Sequence, residues 1–392
     1  MSEAVLASLL TAARLVEPGE LPSVVDDHAR MLGASASALY LVDREQLTLC
    51  QMGDESSRVP IEGTIAGRVF ATEEIFWSEA DTISRLWVPV RDGIERLGVL
   101  SLEFGGRDDA IEPACAAFAS LVAELVVTRG MYGDAMECTR RTHQMTIAAE
   151  VQWGMLPPGT FGTSRVTISG AVEPAYEIGG DAFDYAMNGD HLHFCLLDGM
   201  GHGLNAAMLV AVALATYRNA RRARMHLGET AISIDGVVTG QYDGDRFVTG
   251  LLGELDCVTG ELHFINAGHP APLLIRRGRV VKELSAAPLL PFGFGDAQLA
   301  ASTECLEPGD RVLIYTDGVV EARRDDGEFF GEHRLIDFIE RESASGQSSP
   351  EILRRLTTAV LSHQAGALQD DSTLLLVDWL GMPHVSLSSP GV

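Results

Sequence analysis

The sequence predicts an α+β protein of two domains joined by a helical connector. Three observations lead there. The chain of 392 residues is 46% apolar, enough to bury two ordinary cores and too much for a largely disordered protein. Short strand-like runs separated by turns fill both the first third and the second half. Between them, from Ile111 to Met155, apolar residues recur at three- and four-residue steps, the spacing of a helix face.

The first third, 1–129, carries strand-like runs at 38–42, 47–51, 86–90 and 98–104, which predict a small antiparallel sheet flanked by terminal helices. In the connector, Ile111, Cys115, Phe118, Val122 and Leu125 form one stripe, and Met145, Ala148, Val151 and Met155 resume it. Gly130 and Gly133 interrupt it, each at about 1 kcal/mol relative to alanine inside a helix. The segment 130–156 is therefore read as a linker helix with a soft start. Its stripe is long enough to pair with a second copy, which predicts a homodimer; the alternative is two amphipathic helices, each packed on its own domain. The remainder, 157–380, is rich in strand-like runs at 166–172, 191–197, 247–255, 261–266, 272–275, 311–316 and 373–379, with helices at 204–223 and 349–364. The Pro-, Ser- and Gly-containing tail, 381–392, is expected to be disordered.

Charge and composition exclude several functions. A formal net charge of −26 repels phosphate backbones, and no basic stripe with interleaved aromatics is visible, so nucleic acid is not an expected partner. The six cysteines are scattered and sit mostly in apolar runs, as reduced core residues of a cytoplasmic protein do. The N-terminus lacks a basic leader and reads as a short amphipathic helix. The apolar helical run 206–217 is too short to span a bilayer, and no membrane association is expected.

The chemistry is concentrated in four aspartates. Asp181, Asp198, Asp317 and Asp370 each stand where an apolar run meets a loop, and strand ends along one sheet edge can gather carboxylates that are distant in sequence. Carboxylate, carbonyl and water oxygens are the ligands that Mg²⁺ or Mn²⁺ prefers, and no Cys or His pair at zinc spacing competes. Asp-Gly by itself is an ordinary turn, and it recurs at Asp92, Asp235, Asp243 and Asp326 with no suggestion of catalysis. The weight rests on four acids in this order.

Those acids lie within longer motifs. Glu150-Val151-Gln152, Leu156-Pro157-Pro158, Gly179-Gly180-Asp181-Ala182-Phe183-Asp184, Asp198-Gly199-Met200-Gly201-His202-Gly203, Phe247-Val248-Thr249, Asn266-Ala267-Gly268-His269-Pro270, Tyr315-Thr316-Asp317-Gly318 and Asp370-Asp371-Ser372-Thr373 occur in order. Together they resemble the SpoIIE/RsbU-type bacterial serine phosphatases, a branch of the PPM, or protein phosphatase 2C-like, enzymes. The resemblance implies an α-β-β-α sandwich, and two Mn²⁺ or Mg²⁺ ions held by Asp181, Asp198, Asp317 and Asp370 with the carbonyl of Gly199. Such ions polarise a phosphoryl group and acidify the water that attacks it, so no protein nucleophile is needed. Asp184 and Asp371 either complete a water-mediated shell or cap turns; His202 either serves a bound water or the leaving oxygen, or is structural. Asn266 and His269 read as turn architecture. Ala182 departs from relatives that carry an aromatic there, without removing a ligand.

The implied substrate is a phosphoserine or phosphothreonine on a STAS-type anti-sigma-factor antagonist. In the first third, 39–43, 61–70 and 97–102 resemble a GAF domain, which implies a sensory role; no chromophore or haem ligand is evident, and neither Cys50 nor His28 stands out. The competing readings are a non-catalytic phosphatase-fold module acting by partner binding, and a cyclase suggested by Gly179-Gly180-Asp181. The first is expected to have lost a metal acid, and this chain has lost none. The second lacks its acidic continuation, replaced here by Ala182-Phe183.

Overall fold

In the computed structural model, which describes residues 2–80, 83–177, 179–295, 301–324, 326–364 and 371–381, the chain divides into two units, Met1–Gln144 and Met145–Val392. The first contains α1 (Ser2–Ala12), α2 (Leu21–Met31), β1 (Ala36–Val42), β2 (Thr48–Gln51), β3 (Arg58–Pro60), α3 (Ile65–Thr72), β4 (Phe76–Ala80), β5 (Ile83–Asp92), β6 (Glu95–Phe104), α4 (Glu112–Gly130) and α5 (Ala135–Arg140). Its strands form one antiparallel sheet in the order β3-β2-β1-β6-β5-β4. Alternation along β1 serves two cores: Leu39 and Leu41 pack with residues of α1, α2 and α4, while Tyr40 and Val42 pack with residues of α3.

The connector differs from a single linker helix. Cys115, Phe118, Val122 and Leu125 of α4 are buried in the first unit's own core, so that stripe is not a seam for a second copy. After Gly130 the chain turns into the short α5, and Arg44 of the first unit pairs with Glu137 there at 2.5 Å. The later half of the stripe belongs to the second unit. The stretch Asp109–Gly130, rather than 206–217, is long and apolar enough to cross a membrane by length and composition, and in this structure its apolar residues line the first unit's core.

The second unit contains α6 (Ile147–Met155), β7 (Thr160–Gly162), β8 (Val166–Glu173), β9 (Asp181–Asn188), β10 (His191–Gly199), α7 (Leu204–Arg222), α8 (Leu227–Tyr242), β11 (Val248–Asp256), β12 (Glu261–Ala267), β13 (Leu273–Arg276), β14 (Arg279–Glu283), β15 (Ser302–Cys305), β16 (Asp310–Tyr315), α9 (Asp317–Val320), α10 (Gly331–Ala344), α11 (Ser349–His363) and β17 (Ser372–Trp379). Two sheets result, β15-β12-β11-β10-β9 and β14-β13-β16-β17-β8-β7. The period of two again decides what each strand faces. Leu196 of β10 and Ile314 of β16 meet in the core between the sheets, with Phe183, Leu251, Leu375 and Val377. Leu197 and Cys195 turn outward onto α7 and α8, and Leu313, Leu374 and Leu376 turn outward onto α10 and α11. This is the expected α-β-β-α sandwich.

Gly170 of β8 shows how closely the sheets approach. A Cβ there would lie 2.4 Å from the ring of Phe183 on β9, so only glycine admits that aromatic between the layers. Of the cysteines, Cys50, Cys115, Cys195 and Cys257 are buried as expected, whereas Cys138 and Cys305 are exposed. Residues 382–392 of the tail lie outside the described residues.

Candidate metal centre

Antiparallel pairing of β9 with β10 sets Asp181 directly opposite Asp198, which places the two side chains on one face of the sheet. The chain enters β9 through Gly179 and Gly180, where space is short: a Cβ on Gly180 would stand 3.0 Å from Asp371 Oδ2 and 3.3 Å from the Gly201 carbonyl. Gly199 N–H donates to the Gly180 carbonyl at 2.8 Å, tying the turn after Asp198 to the turn before Asp181.

The other sheet supplies the remaining acids. β16 ends at Tyr315, Thr316 follows, and Asp317 opens the short α9. Thr316 is fully buried, and its hydroxyl accepts from Thr373 N–H at 2.9 Å, leaving its own proton to donate to Asp181 Oδ2 at 2.8 Å. That one bond joins the acid-bearing ends of both sheets. Asp371 lies just before β17 against the Asp317-Gly318 turn, where a Cβ on Gly318 would fall 1.9 Å from the Asp371 carbonyl oxygen. Asp370, its neighbour and the fourth expected ligand, lies outside the described residues.

Electrostatics set Asp181 apart. Burial pushes its carboxyl well above the usual carboxylate range, and the charges of Asp198 and Asp371 push it further. Among the described residues no group of three or more His, Cys, Asp or Glu side chains is placed to hold a metal ion. What the site presents, among the described residues, is a buried carboxyl beside two further carboxylates, and carboxylate oxygen is a donor that fits a hard divalent cation.

A stability prediction follows from the sign of this shift. A folded-state carboxyl that keeps its proton to higher pH than an unfolded aspartate favours folding near pH 4, and loses that contribution as pH rises toward neutrality. A divalent ion bound there at neutral pH would take the place of the proton and restore it, adding about 2.7 kcal/mol at 100 times its Kd. Calorimetric melting of the metal-free chain should therefore fall from about pH 5 to 7, and Mg²⁺ or Mn²⁺ should raise it more at the higher pH. An equal effect of the ion at both values would contradict this.

The remaining sequence candidates separate clearly. Asp184 neither caps a turn nor faces the acids: it is buried in ion pairs with Arg218 at 2.7 Å and Arg221 at 2.8 Å, which clamp α7 to β9. His202 is exposed in the loop after Asp198. Asn266 braces its turn, accepting from His269 N–H at 2.8 Å and donating to the His269 carbonyl at 2.9 Å.

Sequence reasoning missed the residues that orient the acids. Thr249, opposite Asp198 across β10 and β11, donates from its hydroxyl to Asp198 Oδ2 at 3.2 Å and lies 3.2 Å from His269 Nδ1. Burial lowers the His269 pKa to about 4, so this imidazole is neutral at pH 7. Gln152 of α6 is buried and donates from Nε2 to the Asp181 carbonyl at 2.6 Å. The signal was in plain view: Gln152, Thr249 and Thr316 each close or occupy a motif already singled out, as a polar residue beside apolar ones.

Two packed sheets with helices outside, with Asp181 and Asp198 at the end of one and Asp317 and Asp371 at the end of the other, are the architecture of the protein phosphatase 2C fold. Residues 188–380 match the family model described as Stage II sporulation protein E (SpoIIE), and the second unit is a SpoIIE-type PPM phosphatase domain. Asp181 and Gln152 lie upstream of the matched residues. The chain is similar to Protein IcfG of Synechocystis sp., 24% identical over 257 residues that cover 58% of this chain and 40% of IcfG. It is also similar to the phosphoserine phosphatase RsbU of Bacillus subtilis, 23% identical over 235 residues that cover 60% of this chain and 69% of RsbU. Among solved structures, the SiaA-PP2C domain of Pseudomonas aeruginosa matches with a TM-score of 0.51 and 22% identity, over 59% of this chain and 94% of that domain.

Proposed function

We propose that this chain is a divalent-metal-dependent protein phosphatase that hydrolyses phosphoserine or phosphothreonine on a regulatory protein, in the cytoplasm. In this reading Asp181, Asp198, Asp317 and Asp370 hold two Mn²⁺ or Mg²⁺ ions, with the Gly199 carbonyl as a further ligand. The observation that carries it is the Thr316–Asp181 hydrogen bond, which ties the acid-bearing ends of the two sheets together. When bound, the ions supply charge to the phosphoryl oxygens and acidify a water. The protein's own part is to fix the carboxylates: Thr316 holds Asp181 and Thr249 holds Asp198, so little reorganisation is needed when substrate arrives.

The substrate proposed is a STAS-type anti-sigma-factor antagonist, supported by the motif resemblance and by the similarity to a phosphatase named for phosphoserine. The first unit is proposed to be a GAF-like sensor, supported by its antiparallel sheet with helices on both faces. A homodimer is proposed through that unit, where Leu15, Met131 and Tyr132 leave apolar surface exposed. The test is hydrolysis by the full chain with Mn²⁺. Phosphoserine and phosphothreonine proteins should be cleaved faster than phosphotyrosine or nucleoside triphosphates; faster cleavage of a triphosphate would overturn the substrate class.

A further inference from the structure

An acidic centre in a chain of net charge −26 must still attract a phosphate dianion. The chain has one lysine, Lys282, and it is engaged with Glu304 at 2.8 Å, so the permanently charged protein groups open to phosphate are guanidiniums. Arg218 and Arg221, near β9, are held by Asp184. Arg246 is different. It is half-buried, and among the described residues it makes no ion pair or hydrogen bond.

Its position is fixed by its neighbours. Three residues before Thr249, Arg246 stands on the approach to β11, where Met200 N–H donates to the Phe247 carbonyl at 3.0 Å and Val248 pairs with Phe292 through two bonds of 2.8 Å. Gly293 packs so tightly here that a Cβ on it would lie 2.5 Å from the Arg246 carbonyl oxygen. From this braced backbone the guanidinium reaches the loop that follows Asp198, with Nη1 3.7 Å from where a Cβ on Gly201 would stand. Gly201 has φ +93°, a left-handed conformation that glycine accepts freely, and the loop presents backbone where a side chain would otherwise intervene. A planar donor fork without a partner, at the rim of a carboxylate cluster, has the geometry to take two oxygens of a tetrahedral anion.

We propose that Arg246 is the phosphate-binding residue of this site, receiving the substrate phosphoryl group and the inorganic phosphate product. This rests on the phosphatase reading, and the experiment separates the two. With the full chain and saturating Mg²⁺, the KM for p-nitrophenyl phosphate, the inhibition constant of inorganic phosphate and the calorimetric affinity for inorganic phosphate are compared among wild type, Arg246→Ala and Arg246→Lys. Loss of a charge-assisted fork should raise the KM and weaken phosphate by about 10- to 100-fold in Arg246→Ala, with Arg246→Lys between it and wild type. Mg²⁺ affinity and melting temperature should not change. Phosphate affinity within about twofold of wild type in Arg246→Ala would overturn the assignment. So would a parallel loss of Mg²⁺ affinity, which would make Arg246 a prop for the Gly199–Gly201 loop. If the wild type turned over no phosphomonoester, the phosphatase reading would fail, and the calorimetric comparison would still decide the role of Arg246.

Discussion

If Asp198 and Asp317 hold the proposed ions, Asp198→Asn and Asp317→Asn should each lower phosphomonoester turnover on the order of 1000-fold while the fold persists, because several kcal/mol of transition-state stabilisation would depend on the metal charge. Both substitutions are mild for the protein itself. Asparagine keeps the oxygen that accepts from Thr249 at position 198, and Asp317 is exposed at the start of α9. Asp181→Asn should be equally inactive yet more resistant to heat in the metal-free state. It removes a buried carboxyl whose ionisation is disfavoured by burial and by two neighbouring acids. Activity and circular dichroism melting on the three variants, with and without chelator, make the check. Undiminished turnover in Asp198→Asn, in Asp317→Asn or in chelator would remove the metal mechanism.

Which parts of this site the sequence disclosed depends on the range of the interactions involved. β10, β16 and β17 were legible because each is an apolar run bounded by turn residues, and Asp198, Asp317 and Asp370, which stand beside them in the sequence, stood out for the same reason. β9 was missed: Asp181-Ala182-Phe183-Asp184-Tyr185 has two acids in five positions, and their burial makes sense only once Thr316 and the Arg218–Arg221 pair arrive from elsewhere. α8 was missed because Gly228, Gly236 and Gly240 depress helix propensity, by about 1 kcal/mol each; burial of Ala231, Ile234 and Val238 against the sheet outweighs them. In the same helix the Asp235-Gly236 pair is no turn, since Asp235 is buried and accepts from Gly293 N–H at 2.7 Å. The connector stripe misled for a related reason. Spacing reveals a helix face but not what covers it, and α4 is covered by its own unit.

Gln152→Leu is expected to cut kcat/KM roughly 10- to 100-fold without touching a metal ligand, from the 1–3 kcal/mol that an unsatisfied buried carbonyl costs. The helix that carries Gln152 begins just past the boundary between the two units and is fastened to the approach to β9 along its length. Thr146 caps its start and donates to the Glu177 carbonyl at 2.9 Å, and Trp153 donates to the Ala175 carbonyl at 2.8 Å. Arg218, already paired with Asp184 on β9, donates to the Met155 carbonyl at 2.5 Å. At the centre, Gln152 grips the backbone of Asp181. A shift of α6 therefore moves the Asp181 turn directly, and a difference of about 1.4 kcal/mol between two settings of the helix changes their ratio tenfold. Kinetics and Mg²⁺ affinity of Gln152→Leu should fall together, whereas Ile147→Ser, on the exposed side of the same helix, should leave both unchanged. Normal kinetics and normal metal affinity in a folded Gln152→Leu protein would show that α6 packs beside the centre without controlling it.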